Sequence, residues 1–208
     1  IFQQKTEAFN RLSSETLSNL LKPFGELTFL QYMLQVLPTR QLDVLHTWMG
    51  VEKSNKDFQG NEWAVEVKSS IGRKNKVTIN GETQLDSNIF KHLILCHYSI
   101  ERNNANGLTL PQLIDAIENL LKYDQMILNY FRARLMLAGY MPEDRTKYEL
   151  RHYNIKKRDL YSVTSDFPRI VQDDLRKGVH DVTYTIMLDV CGSFLISENK
   201  LLQIIKQL

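Results

Sequence analysis

Asp57-Phe58-Gln59-Gly60-Asn61-Glu62-Trp63-Ala64-Val65-Glu66-Val67-Lys68-Ser69-Ser70 is where the hydrophobic period of the chain changes from helical to alternating. Phe58, Trp63, Val65 and Val67 alternate with other residues, and Gly60-Asn61 supplies a two-residue turn, so the stretch predicts a β-hairpin. With that turn Gln59 faces Glu62, Phe58 faces Trp63 and Asp57 faces Ala64. Side chains alternate between the two faces of a strand. Asp57, Ala64, Glu66 and Lys68 therefore share one face, and the apolar set shares the other and is expected to pack inward. Asp57 and Glu66 are then diagonal neighbours, roughly 7–8 Å apart, from which two carboxylates can converge across the small Ala64.

Two carboxylates brought to about 4 Å repel by about 1 kcal/mol in water and about 4 kcal/mol at an effective dielectric near 20. A bound cation reverses that sign. Hard oxygen ligands suit Mg²⁺ or Mn²⁺, which orient a phosphate and lower the pKa of an attacking water. Lys68, one step along the same face, would hold that water and stabilise charge on phosphorus. A solvated strand face carrying an acid and a lysine is the competing reading, because Glu-x-Lys is common; Glu198-Asn199-Lys200 is a second instance, at a predicted helix start.

Outward from the hairpin the chain reads as mixed α/β. A helix start is predicted at Ser13-Ser14-Glu15, a second helix opens near Pro23 and stops at Pro38, and Gln41 to Trp48 makes a short third. Strands are expected at Lys76 to Ile79 and at His92 to Ile100, the latter apolar enough to be central. Leu110 to Leu121 and Gln125 to Ala138 read as amphipathic helices, the second stopped by Gly139. Tyr148 to Val163 and Val179 to Leu188 read as strands, and Glu198 to Gln207 as a closing helix.

The 208 residues, 43% apolar and 24% charged, suit one globular domain spanning 1–208. A net charge of +2 is too small for a protein that coats nucleic acid by charge alone, so any DNA contact is expected to be local. Cys96 and Cys191 stand apart in apolar runs and read as buried thiols. There is no run of 18 apolar residues and no signal-peptide pattern, which predicts no membrane association and a cytoplasmic location. Ile1 stands where an initiator Met is expected, so an upstream N-terminal segment is expected to be missing.

Asp57 followed by Glu66-Val67-Lys68 resembles the core of the PD-(D/E)XK nucleases. The order of Gly25-Glu26-Leu27, Trp48-Met49-Gly50, Gln84-Leu85-Asp86, Thr109-Leu110-Pro111, Gly139-Tyr140, Asp166-Phe167-Pro168-Arg169 and Asp181-Val182-Thr183-Tyr184 is similar to that in a largely uncharacterised prokaryotic "PD-(D/E)XK motif protein" family, often found among restriction and phage-defence genes. The likeness runs from about Leu20 to Leu188. Lys56 stands where the eponymous Pro would precede the acid. The resemblance implies a restriction-endonuclease-like α/β fold, a central mixed sheet flanked by helices, and a Mg²⁺-dependent DNA endonuclease in which Mn²⁺ can substitute. It implies metal ligation by Asp57, Glu66, Glu26 and the Val67 backbone carbonyl, with Lys68 catalytic and Gln84 close to substrate phosphate. A homodimer and other defence-system proteins are the partners it suggests. A non-catalytic DNA-binding or interaction subunit of a defence complex is the alternative.

Glu26, Leu30 and Met33 fall on one helical stripe, so an acid interrupts a buried face; a first-turn glutamate favoured by the helix dipole, worth about 0.3–1 kcal/mol, is the other reading. Gln84 could equally cap a turn. Arg73, Lys74 and Lys76 follow the catalytic strand, where a loop would lie against a phosphate backbone or be a solvated turn. Arg132, Arg134 and the run Lys156-Lys157-Arg158, expected at a bend, read as solvent-facing. Phe167-Pro168-Arg169 reads as a turn packed on the sheet. The five histidines have no zinc-site spacing, and no phosphate-loop or dinucleotide fingerprint occurs, which excludes a nucleotide cofactor for this segment.

Overall fold

The computed structural model describes residues 20–52, 54–72, 75–102 and 106–207. The helix start expected at Ser13 to Glu15 lies outside them. Helix α1 (Leu21–Val36) takes Pro23 in its first turn, where a missing N–H costs nothing, and ends before Pro38. Helix α2 (Gln41–Thr47) follows, then a single turn at Gly50–Glu52. The strands are β1 (Phe58–Gln59), β2 (Trp63–Ile71), β3 (Lys76–Asn80) and β4 (His92–Arg102). Next come α3 (Leu110–Leu121), α4 (Gln125–Leu137), the short α5 (Arg145–Tyr148), β5 (Tyr153–Ser162), β6 (Thr183–Met187) and α6 (Glu198–Ile205). Local chemistry sets the helix ends. Thr109 and Gln112 form a reciprocal capping box on α3, Asp124 caps α4, and Gly139 at φ +88° lets the chain turn away after α4.

Four strands form a mixed sheet in the order β1-β2-β4-β5, with β2 and β4 parallel and the outer pairs antiparallel. The strand expected at Lys76 to Ile79 exists, but it pairs with β6 in a separate two-stranded sheet. The stretch expected as strand from Tyr148 begins only at Tyr153, and the one from Val179 only at Thr183. Two cores result. Phe58, Trp63, Val65 and Val67 pack inward against α1 and its neighbouring helices, as their alternation predicts. On the opposite face Ala64, Leu93, Leu95 and Tyr161 are covered by Val77, Ile79 and Ile186 of the small sheet, with Leu85 and Phe167.

Three local expectations change. Gly60 donates its N–H to the Trp63 carbonyl at 2.8 Å, Phe58 pairs with Val65 and Gln59 with Ala64, so the hairpin turns at Asn61-Glu62 rather than at Gly60-Asn61. Gly60 is needed for close approach instead: a Cβ there would lie 2.4 Å from the Trp63 ring. Arg134 is buried, not solvent-facing, because Trp48, Tyr130 and Glu52 provide partners for its guanidinium, whereas Arg132 sits outside on Glu118. Lys156-Lys157-Arg158 lies inside β5, at the register irregularity opposite Ser99 and Ile100, and Arg158 stacks 3.9 Å over the Tyr32 ring centroid while pairing with Glu198. Both cysteines are buried free thiols. Phe167 and Arg169 do hold a turn to the sheet, the guanidinium donating to the Leu85 carbonyl and Ser87. No helix among the described residues is long and apolar enough to cross a membrane.

Candidate active site

Strand β1 is only two residues long, so beyond Val65 the edge of β2 loses its strand partner. Asp57 takes that place: its Oδ2 accepts the Val67 N–H at 2.8 Å. The one-residue shift in the turn moves the cross-strand register by two, which keeps every side chain on its predicted face because the period is two. It changes the relation of the acids, however. Continuing the observed register by one residue sets Asp57 directly opposite Glu66, closer than the diagonal relation expected from a Gly60-Asn61 turn. In a strand the N–H and C=O of one residue point to the same edge, so the Val67 carbonyl also leaves the sheet on the Asp57 side.

Glu26 arrives from α1, which begins at Leu21, so it lies beyond the first turn and the helix-dipole reading does not apply. It is 5% exposed between the buried Leu30 and Met33 of its stripe and the edge of the sheet. The Trp48 indole N–H donates to Glu26 Oε2 at 2.9 Å, and Arg134 from α4 donates to the Trp48 carbonyl, which braces that indole. The N–H groups of Met49 and Gly50 bond the Asp57 carbonyl oxygen at 2.8 and 3.0 Å. Gly50 has to be glycine for close approach, since a Cβ would sit 2.6 Å from Glu26 Oε2 and 3.2 Å from Asp57 Oδ1. Lys22, one turn before Glu26, completes the cluster, its ammonium 3.6 Å from Glu26 Oε1 and 3.9 Å from Asp57 Oδ1.

On the strand face, Lys68 Nζ is held 2.8 Å from Glu66 Oε1 and donates to Gln84 Oε1 at 2.8 Å. The same Gln84 oxygen accepts the Asn80 N–H at 3.0 Å, so Gln84 both caps the turn after β3 and orients the lysine. Lys56, in the place of the eponymous Pro, is buried and donates to the Thr83 carbonyl; burial lowers its amine against the pull of Glu66 and Asp86. Lys76 lines the same cleft, while Arg73 and Lys74 lie outside the described residues. The cleft, about 780 Å³, runs between α1, the end of α4, the second half of β2 and the exposed face of β3.

Three buried carboxylates in one place cost energy in their charged form. Burial, then the charge of Asp57, pushes Glu66 up to about 8 and Glu26 up to about 7. Burial also raises Asp57, against the opposing effects of Lys22 and the Val67 N–H. Burial would lower the Lys22 amine, but the carboxylates of Glu26, Asp57 and Glu66 hold it above its ordinary value. Such a site favours an added cation. Among the described residues no group of three or more His, Cys, Asp or Glu is arranged to hold a metal ion; Glu26 and Asp57 share the Lys22 ammonium, and Glu66 pairs with Lys68. A pair fits Mg²⁺, which keeps several waters and takes one or two carboxylates plus substrate oxygens.

Lys22 and the bracing role of Trp48 and Arg134 were not visible as site features in the sequence. The i, i+4 spacing of Lys22 to Glu26 was the only signal for the former. A mixed sheet flanked by helices, with an acid opposite Glu66-Val67-Lys68 at the edge of its second strand, defines the restriction-endonuclease-like class. The chain belongs to the family described as "Putative PD-(D/E)XK family member, (DUF4420)", which matches residues 3–189. No curated protein and no solved structure matches it.

Proposed function

We propose that the protein is a Mg²⁺-dependent nuclease that hydrolyses phosphodiester bonds, with duplex DNA as substrate and restriction or phage defence as its setting. The observation that carries this reading is that Glu26 and Asp57 converge on one ammonium, beside a lysine pinned by Glu66 and Gln84. A divalent cation bound to the acid pair would orient the phosphate and activate water. Lys68 has three N–H donors, two of them directed at Glu66 and Gln84, and the third is available to an attacking water or a phosphate oxygen. Glu66 fixes that ammonium in place at 2.8 Å. Lys76 and the neighbouring Arg73 and Lys74 are the candidates for backbone phosphate contacts, which position DNA without reading its sequence. Cutting both strands would be served by a homodimer, and other defence-system proteins are natural partners.

Supercoiled plasmid incubated with the purified protein and Mg²⁺ or Mn²⁺ is expected to be nicked or linearised, and EDTA, Asp57→Asn and Lys68→Ala are each expected to reduce cleavage at least a hundredfold. Cleavage no faster than that of Lys68→Ala would remove the enzymatic reading. Metal-indifferent binding of the plasmid without cleavage would favour the non-catalytic subunit.

A further inference from the structure

Glu26 and Asp57 each have one carboxylate oxygen committed inside the protein, Oε2 to the Trp48 indole and Oδ2 to the Val67 N–H. The other two oxygens, Glu26 Oε1 and Asp57 Oδ1, face the Lys22 ammonium at 3.6 and 3.9 Å, and the two carboxyl groups also hydrogen-bond one another. We propose that Lys22 is a tethered counter-cation that a divalent ion must displace from these two oxygens, so that this side chain sets the cation concentration at which the site loads. The inference rests on reading Glu26 and Asp57 as metal ligands.

The burial of the partners makes the role specific. The Lys22 side chain is 65% exposed while those of Glu26 and Asp57 are 7% and 5% exposed, so the acids are fixed and the lysine is free to retract into the cleft mouth. Lys68 is the opposite case: 15% exposed and held by both Glu66 and Gln84, it stays in place when a cation enters. Among the described residues no other lysine or arginine comes within ion-pair distance of Glu26 or Asp57. A half-solvated ammonium is a weak competitor, because exposed ion pairs are worth little, and the effect of removing it is correspondingly modest.

Calorimetric titration of Mn²⁺ into the nucleic-acid-free protein tests this. Lys22→Met is expected to bind Mn²⁺ about three- to fivefold more tightly than wild type, which is what loss of an exposed pair worth up to about 1 kcal/mol corresponds to. Lys22→Arg is expected to keep the wild-type affinity. Lys76→Met removes one positive charge from the same cleft without touching the acids, and is expected to leave the affinity within about twofold, as charges beyond contact distance are screened. Wild-type or weaker affinity in Lys22→Met overturns the proposal, and so does equal tightening by Lys76→Met, which would make the effect one of general charge. Asp57→Asn separates the two readings: if it binds Mn²⁺ as wild type does, the metal-ligand assignment fails and takes this inference with it. If it abolishes binding while Lys22→Met changes nothing, only the role of Lys22 falls.

Discussion

Glu66 is 2% exposed, and burial, then the charge of Asp57, raises it from 4.5 to about 8. The sign of its effect on stability follows from proton linkage. Between pH 4.5 and about 8 the unfolded chain has released this proton while the folded chain retains it, so stability falls as pH rises through that window and levels above it. Glu26, raised to about 7, adds in the same direction over the lower part. The metal-free protein is therefore expected to melt several degrees lower at pH 8.5 than at pH 5.5, and Glu66→Gln to flatten the part of the slope above pH 7. Thermal melts across pH in EDTA check this; a slope unchanged by Glu66→Gln would mean that another group carries it. Because the penalty belongs to a carboxylate that also fixes Lys68, the substitution is expected to gain stability and lose cleavage together.

At the scale of elements, the site depends on how closely α1 approaches β2. Gly25 makes that contact: a Cβ there would lie 2.2 Å from Ser69 Oγ and 3.5 Å from a Val67 methyl. The helix is held at this distance so that Glu26, the next residue, reaches the strand edge. Gly25→Ala is expected to destabilise by about 1–3 kcal/mol through overpacking and to move Glu26 away from Asp57. Ser69 Oγ is buried without a hydrogen-bond partner, so Ser69→Ala on its own is expected to be neutral or stabilising. The double variant Gly25→Ala/Ser69→Ala should therefore recover most of the loss in urea denaturation, and a double variant no better than Gly25→Ala would place the strain elsewhere.

At the scale of the whole molecule, the sheet is sandwiched between two unequal cores, and the smaller one lies over the face that presents Glu66 and Lys68. Ile79 belongs to that smaller core and Ile117 to the larger, both fully buried. Either truncation to Ala is expected to cost about 2–5 kcal/mol. Their effects on activity should differ. Ile79→Ala loosens the strand whose end, at Asn80, shares Gln84 with Lys68, and is expected to lower cleavage per folded molecule at least fivefold. Ile117→Ala, on the far side of the sheet, is expected to leave it within about twofold. Chemical denaturation followed by cleavage assays at matched folded fraction makes the comparison.

The sequence by itself determined the elements with a strong local signal. The alternation around Asp57 to Ser69 placed Asp57, Glu66 and Lys68 on one strand face, and moving the turn by one residue, which shifts the pairing register by two, left that face unchanged because strand periodicity is two. Capping residues and Gly139 bounded α3 and α4 closely, since these ends rest on contacts within a few residues. Only tertiary structure decided the rest. Membership of β3 in a second sheet depends on pairing with β6, a hundred residues away, and no local pattern encodes a distant partner. Burial of Arg134 followed from the Trp48 carbonyl and Glu52, groups remote in sequence. The meeting of Lys22 with Asp57 depended on the close approach that Gly25 permits. An acid opposite a Glu-x-Lys strand is readable as a pattern; which oxygens face outward is not, because it depends on hydrogen bonds from an indole and a backbone N–H supplied by other elements.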